Sequence, residues 1–425
     1  MIVLLFLAAI IPFQFYFDIY SSYTSSIAQM AAVMLILLAA VRYGKLKEVI
    51  QTDPFSKAVI MFIFVFFLSA IGAVDMKTAF IHVIKWSLFI LLFFPVVLFV
   101  DSKQKLKKII LALSVPAIVL SVMGIWQYTY SSDRMLGFIE KNVYFFYLIM
   151  EPSSLAHKIM TKGFNWYQVD MSIRAFGSFL SSNNFSQYIG LILPLIFGLA
   201  LSEKKGAKKY FLFSVSVALI IINIITFSRG GWLGMIGMML CGSLLILKKK
   251  IWQYLRVIAC IFIMVLLFGI IARPVMMKTA RRFIKTENSL AWRGKLWAGA
   301  IDINSRRTLL GAGPGNYSLV LNKKKYEGPA HSNYLQVCAE FGLLGLAVFI
   351  YLIFTGLKSS YRIYLSEDRI LKIFGVAFFM IWIWFSLQSI FTNYIFGIKY
   401  GMMFWIMVGL NSALLRIRNG SRNDS

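Results

Sequence analysis

Acidic residues are scarce in this sequence. The 425 residues include 17 Asp and Glu against 44 Lys and Arg, which gives a formal net charge of +27. Only 14% of the residues are charged, whereas soluble domains have about 25%, and 59% are hydrophobic. This composition excludes an intrinsically disordered chain, which needs low hydrophobicity, and a soluble nucleic-acid-binding protein. It indicates an integral membrane protein whose few charges are mostly cationic.

Cysteine and histidine are also rare, with three of each. Cys241, Cys260 and Cys338 stand singly in apolar stretches. They form neither a disulfide framework nor a metal-binding spacing. We therefore expect no metal site and no cofactor.

Long apolar runs dominate what is present. A transmembrane helix needs about 20 mostly apolar residues, and runs of that length predict an all-α polytopic membrane protein with about 12 transmembrane helices. The predicted spans lie near residues 1–17, 26–42, 57–74, 83–100, 108–130, 184–202, 208–227, 230–248, 251–272, 335–357, 370–388 and 391–413.

Basic residues cluster in every second connection between these spans and again after the last one. By the positive-inside rule, those connections and both termini are cytoplasmic. The predicted domains are 1–130 with helices 1–5, an outer loop at 131–183, 184–272 with helices 6–9, a large outer loop with amphipathic helices at 273–334, 335–413 with helices 10–12, and a cytoplasmic tail at 414–425.

The large outer loop carries twelve basic residues against three acidic ones. Such an excess calls for an anionic partner, and lipid head groups, acidic glycans and the phosphates of a lipid-linked substrate all qualify. Part of the charge is accounted for by general attraction to anionic membrane lipids.

Arg293 stands out within this loop. Residues 289–304 have the spacing of an amphipathic helix, and Arg293 falls on its apolar stripe. A guanidinium held against packed surface needs a partner, and its planar fork suits phosphate. The alternative is an arginine that only packs its aliphatic stem. The stripe consists of Leu290, Leu296, Trp297, Ala300 and Ile301.

Two further arginines are candidate anion-binding residues. Arg229 lies between two strongly apolar spans with almost no loop, where an arginine is costly unless it faces a polar cavity. It could instead snorkel to lipid head groups. Arg174, shortly before the sixth span, is either a third outer cationic site or a solvated loop charge.

His331 is the most suggestive titratable residue, because it precedes the tenth span directly. A neutral imidazole can accept a proton from an attacking hydroxyl near pH 7. A polar interfacial histidine is the alternative. Glu340 lies nine residues further on, too deep in the span to touch His331 directly, so its role stays open.

The ordered set formed by Ser228-Arg229-Gly230-Gly231, residues 293–297, the glycine-rich turn at 311–315 and His331-Ser332-Asn333-Tyr334-Leu335 with Glu340 and Gly342 resembles the O-antigen ligase and O-antigen polymerase family. The resemblance is strongest over 170–350. It implies a GT-C-like fold in the bacterial cytoplasmic (inner) membrane with an active site on the periplasmic or extracellular side.

The same resemblance implies the substrates and the residue roles. A glycan on undecaprenyl pyrophosphate would be the donor, and the acceptor would be lipid A-core for a ligase or another lipid-linked glycan for a polymerase. Arg229 and Arg293 would bind the pyrophosphate, and His331 would activate the acceptor hydroxyl. Membrane lipids are further partners. The reaction would be metal-independent and inverting, because the outer loops lack a DxD-type pair and a convincing carboxylate nucleophile.

Two alternatives to the ligase reading stay open. The Arg-x10-Gly pattern of some polymerases follows neither Arg174 nor Arg293, which favours the ligase branch but leaves the polymerase possible. A non-enzymatic transporter or flippase of lipid-linked glycans has the same number of spans, although transporters usually carry charges in mid-membrane. Here the centres of the spans are almost free of charge, and Glu340 is the main exception.

Overall fold

The chain forms a helical bundle in the computed structural model, which describes residues 1–12, 16–20, 23–129, 175, 177–179, 182–246, 287–322 and 328–423. The helices are α1 (Ile2–Ile10), α2 (Ile27–Ala40), α3 (Tyr43–Thr52), α4 (Pro54–Ile71), α5 (Met76–Leu91), α6 (Phe93–Phe99), α7 (Lys103–Thr129), α8 (Ser182–Ser202), α9 (Ala207–Ile225), α10 (Arg229–Ile246), α11 (Glu287–Arg306), α12 (Tyr317–Asn322), α13 (Asn333–Tyr364), α14 (Arg369–Gln388) and α15 (Ile398–Asn423). A 3₁₀ turn spans Tyr394–Phe396. Strands β1 (Tyr16–Tyr20) and β2 (Tyr23–Ser26) pair antiparallel, with Tyr16 opposite Ser26.

Nine helical stretches among the described residues are long and apolar enough to cross a membrane, with α5 and α6 forming one of them. They coincide with the predicted spans from the third to the eighth and from the tenth to the twelfth. The ninth predicted span, at 251–272, lies outside the described residues. The polytopic helical fold is thus confirmed, while the count of twelve is not.

The first two predicted spans differ from the expectation. Helix α1 has nine residues, about 14 Å, which is too short for a hydrocarbon core of about 30 Å. The run ends there because Pro12 has no backbone N–H with which to continue the helical hydrogen bonds. Helix α2 continues into α3 through a bend of 92°, and this bent pair counts as a tenth candidate span.

Three of the scarce acidic residues are N-cap residues, each directly before the first residue of a helix. The carboxylate of Asp53 accepts a hydrogen bond from Ser56 N at 2.9 Å before α4, and that of Asp368 accepts from Ile370 N and Leu371 N before α14. Asp75 caps α5 in the same way. Each cap satisfies backbone donors that a helix leaves unpaired at its first turn.

The bundle has two distinct ends. At one end, which we call the Asp368 end, ion pairs join Lys103 to Asp368 at 2.7 Å and Arg416 to Glu48 at 2.9 Å. The connections at this end are the basic ones that the charge pattern predicts to be cytoplasmic. At the opposite end, the His331 end, Asn333 N donates to Ser389 O at 2.8 Å. The segments that contain Glu48, Lys103, Asp368 and Arg416 thus meet at one end of the bundle.

Helix α13 is broken at Gly342, where φ is +66° and ψ is −166°. The break leaves backbone groups next to Gly342 without hydrogen-bond partners inside the helix. The segment between α11 and α12 forms hydrogen bonds with four of these backbone groups. Ala312 N and Gly313 N donate to Ala339 O and Glu340 O, respectively. Leu343 N and Leu344 N donate to Thr308 O and Leu309 O, respectively. The glycine-rich turn thus packs against the break in α13. The non-helical backbone at Gly342 is tolerated because the neighbouring backbone N–H and C=O groups are hydrogen-bonded.

Candidate active site

His331 occupies a strained position immediately before α13. Its φ is +48°, in the left-handed region that residues other than glycine rarely adopt. Ser332 then caps the helix by accepting a hydrogen bond from Leu335 N at 3.4 Å. Burial, together with the positive charge of Arg293, lowers the pKa of His331 from 6.5 to about 4. The imidazole is therefore neutral at physiological pH, and Arg293 lies close enough to act on it electrostatically.

Helix α11 holds Arg293 beside His331 by packing on a small core of its own. Its predicted amphipathic stripe is largely confirmed, since Leu296 and Ala300 are buried. The prediction that Ile301 belongs to the buried stripe is wrong, because Ile301 is 61% exposed and Ile303 is buried instead. The helix is also anchored by Trp297, whose Nε1 donates to Ala330 O at 2.9 Å.

The start of α10 brings Arg229 to the same end of the bundle. Phe227, two residues earlier, has a φ of +52°, and within the described residues it and His331 are the only non-glycine residues with positive φ. The turn is fixed by Gly231 N, which donates to Ser228 Oγ at 3.2 Å. A Cβ atom on Gly230 would lie 3.1 Å from Gln388 Oε1, so Arg229 begins its helix beside the end of α14.

Ser389 links this region to His331. Its backbone carbonyl accepts from Asn333 N, and its Oγ accepts from Asn333 Nδ2 at 2.9 Å. The neighbouring Gln388 is 2% exposed, and its amide atoms have no hydrogen-bond partner in the described part of the chain. Arg229, Arg293 and His331, which lie far apart in sequence, thus gather at one end of the bundle.

Arg174 lies outside the described residues, so its predicted role stays a prediction. The next residue, Ala175, donates from its backbone N to Ile225 O at 3.1 Å, at the end of the helix that precedes Arg229.

Sequence reasoning missed a polar cavity of about 300 Å³ beside these residues. Glu340 lies in its wall, where Oε1 accepts from Gln336 Nε2 at 2.7 Å and Oε2 accepts from Gly315 N at 3.1 Å. Gln336 Oε1 in turn accepts from Ala330 N at 2.9 Å, next to His331. The prediction that Glu340 is too deep to meet His331 agrees with this arrangement, in which Gln336 stands between them.

One signal in the sequence could have indicated this pair, because Gln336 and Glu340 are four residues apart on a helix. His82, also in the cavity wall, carried no such signal. No group of three or more His, Cys, Asp or Glu side chains able to hold a metal ion occurs among the residues that the structure describes.

The comparison with known families agrees with this geometry. Residues 211–350 match the family model described as O-antigen ligase, a range that includes Arg229, Arg293, His331 and Glu340. No curated protein matches the chain. The family assignment favours an enzyme over a transporter or flippase. Residues 211–350 are therefore similar to the O-antigen ligase family, and this match supports a glycosyltransferase-type membrane enzyme.

Proposed function

We propose that this enzyme transfers a glycan from undecaprenyl pyrophosphate to an acceptor hydroxyl at the outer face of the cytoplasmic membrane. The observation that carries the proposal is the placement of Arg293 beside the neutral His331, at the same end of the bundle as Arg229. Glycosyl transfer from a pyrophosphate needs cations for the leaving group and a base for the nucleophile, and these three residues are of the required types.

Arg229 and Arg293 bind the donor pyrophosphate in this proposal. A guanidinium presents its N–H groups as a planar fork that can hold phosphate oxygens in pairs. Negative charge builds on the pyrophosphate as the bond to the sugar breaks. Two fixed arginines stabilise that charge more in the transition state than in the bound donor, and this difference accelerates the reaction.

His331 accepts the proton of the acceptor. The acceptor oxygen forms a bond to the anomeric carbon while its proton moves to an imidazole nitrogen. The bond from that carbon to the pyrophosphate oxygen breaks, and its electron pair leaves with the pyrophosphate. Direct attack from the opposite face inverts the configuration at the anomeric carbon.

Donor binding also strengthens this base. Burial and Arg293 hold the pKa of His331 near 4 in the unliganded protein, which makes the imidazole a weak base. A pyrophosphate dianion seated on Arg293 offsets the guanidinium charge and raises the pKa of His331. The base therefore becomes effective when the donor is in place, and this coupling disfavours deprotonation of a hydroxyl before the donor arrives.

The charge pattern supports the proposed orientation. The basic connections lie at the Asp368 end, which we assign to the cytoplasm, and the His331 end then faces the periplasm or extracellular space. A polyprenyl tail can remain in the bilayer while its pyrophosphate reaches the arginines.

Lipid A-core is the proposed acceptor. Purified enzyme would be given an undecaprenyl-pyrophosphate-linked glycan alone or together with lipid A-core. Transfer that requires lipid A-core supports the ligase, whereas growth of the lipid-linked chain without it identifies a polymerase. Movement of the lipid-linked glycan across a vesicle membrane without cleavage would overturn the proposal.

Two variants test the residue roles. His331→Ala should abolish transfer, and Arg293→Lys should reduce it, because a point charge does not reproduce the bidentate fork. Arg306→Lys is the matched control, since Arg306 is an exposed residue of the same helix paired with Asp302. Full transfer by a folded His331→Ala protein would remove the base assignment.

A further inference from the structure

The polar cavity beside His331 differs in character from the cationic end of the bundle. None of the described residues that line it is a lysine or an arginine, although the chain as a whole is strongly basic. Among the described residues, its titratable lining groups are the carboxyl group of Glu340, the imidazole of His82 and the phenol of Tyr400. A pyrophosphate would meet no cationic side chain among these described lining residues, and an apolar polyprenyl tail would bury polar atoms without partners.

The wall supplies hydrogen-bonding groups of both kinds. The amides of Gln336 and Asn393 can each donate and accept, and the Glu340 carboxylate accepts. His82 Nδ1 lies 2.9 Å from Thr78 O. Because a carbonyl only accepts, Nδ1 carries the hydrogen, and Nε2 is left to accept another hydrogen bond.

Aromatic rings form another part of the wall. Trp86 and Phe396 both line the cavity, and their ring centroids are 4.4 Å apart. Trp86 also contacts the ring of His82 edge-on at 5.0 Å. Such rings provide apolar surface of fixed orientation next to the polar groups.

A sugar ring has the complementary chemistry. Its hydroxyls both donate and accept, and its C–H faces pack on aromatic rings. The cavity volume of about 300 Å³ is at the lower end of the range for small-molecule sites, roughly 300–1,000 Å³, and suits a single ring rather than a long chain. An acidic sugar would lack a counter-charge beside Glu340, so an uncharged ring fits better.

The cavity is also placed where such a ring is needed. Gln336 lines it and accepts from Ala330 N, the residue next to His331. Gly315 lines it too, and its φ of +70° lets the backbone approach the His82 ring where a Cβ atom would clash. We propose that this cavity binds one uncharged sugar ring of the glycan substrate. This inference rests on the proposed function for the identity of that glycan, which belongs to the donor or to the acceptor.

Binding measurements with purified protein in detergent test the proposal. The probes are undecaprenyl pyrophosphate without a glycan, the same lipid carrying a neutral disaccharide, and a lipid A-core acceptor. The variants are Asn393→Ala and His82→Ala. Gln104→Ala, an exposed amide in the first turn of α7 at the Asp368 end, is the control.

We expect each cavity variant to raise the Kd of one sugar-bearing probe about tenfold, the loss of roughly one hydrogen bond, and to leave the Kd of the bare lipid within about twofold. An effect on the glycosylated lipid assigns the ring to the donor, and an effect on lipid A-core assigns it to the acceptor. Unchanged Kd values for both sugar-bearing probes, with unfolding temperatures like the parent protein, would overturn the proposal.

Arg293→Gln separates this inference from the proposed function. It should weaken binding of the bare and glycosylated lipids alike, because both carry the pyrophosphate. If Arg293→Gln has no effect while the cavity variants do, the cavity binds sugar but the pyrophosphate assignment fails. The opposite result retains the pyrophosphate site and removes the sugar site. Asn393→Ala, in the connection after α14, covers the case in which His82→Ala does not fold.

Discussion

The indole Nε1 of Trp297 donates a hydrogen bond to the backbone carbonyl of Ala330 across 2.9 Å. Trp297 lies one helical turn after Arg293, and Ala330 directly precedes His331. This single contact therefore ties the helix that carries the arginine to the strained residue that carries the imidazole. We therefore expect the distance between the guanidinium of Arg293 and the imidazole of His331 to depend on the indole of Trp297.

Trp297→Phe tests this dependence. The change keeps an aromatic ring but removes the N–H donor, so we expect the free energy of unfolding to fall by about 1 kcal/mol. Transfer should fall further than stability alone explains, because the positions of Arg293 and His331 relative to each other are no longer fixed by this hydrogen bond. Trp292→Phe, on a more exposed position of the same helix, is the control for both unfolding and transfer rate. Equal activities of the two variants would contradict the positioning role.

The titration of His331 should be visible by NMR, because the chain has only three histidines. With the pKa near 4 in the folded protein and 6.5 as its ordinary value, the native state resists protonation. The contribution of neutral His331 to the free energy of unfolding is complete above pH 6.5 and is lost as the pH falls towards 4. Imidazole ¹⁵N shifts of histidine-labelled protein measure the midpoint, and His331→Gln assigns the signal.

The same experiment tests the coupling to the donor. Arg293→Gln should raise the pKa of His331, because the repelling charge is removed, although burial still holds it down. Addition of undecaprenyl pyrophosphate should raise it in the parent protein but not in Arg293→Gln. A His331 midpoint that is identical with and without the lipid would refute the donor-dependent base.

Gly342→Ala should strongly destabilise the protein. The glycine has a φ of +66° that disfavours any L side chain, and a Cβ atom there would collide with the backbone of Leu309. We expect a loss of about 3 kcal/mol or more, seen as a lower unfolding temperature in detergent. Gly294→Ala is the matched control, because that helical glycine has open space around its Cβ position and alanine favours helix by about 1 kcal/mol. Similar effects of the two substitutions would show that α13 tolerates a regular turn at this point.

Chelation of divalent ions should leave transfer unchanged. Arg229 and Arg293 are proposed to supply the positive charge that a bound cation supplies in metal-dependent glycosyltransferases. The measurement compares transfer rates before and after treatment with EDTA. A rate that collapses and then recovers on addition of Mg²⁺ or Mn²⁺ would disprove the metal-free mechanism.

Much of the bundle could be predicted from the sequence because the bilayer imposes a simple length rule on apolar runs. The segments around Arg229 and His331 could also be singled out, since polar residues beside long apolar spans are costly and need a reason. Their gathering at one end followed from the alternation of basic connections. These inferences use local composition alone.

The internal structure of the site could not be predicted from the sequence, because it depends on contacts between residues that are far apart in the chain. Gly342 sits in the apolar run Phe341-Gly342-Leu343-Leu344, which is compatible with an unbroken helix. Its break becomes favourable only when Thr308 and Leu309 accept the freed N–H groups from a distant part of the chain. The prediction for Ile301 failed because the buried face of α11 is the one that carries Leu296, Ala300 and Ile303 at i, i+4 and i+7, and only the contacts with Tyr317 and Ala330 select that face over the neighbouring one.

The interrupted helix α13 has a consequence for stability in the bilayer. The part at 343–364 alone reaches the length that a span requires, whereas the part at 333–341 falls well short of it. Neither part can leave its Gly342 ends unpaired in hydrocarbon, where each naked amide or carbonyl costs several kcal/mol. The shorter piece and the 308–313 segment therefore depend on each other for their backbone hydrogen bonds, and neither is stable at this depth without the other.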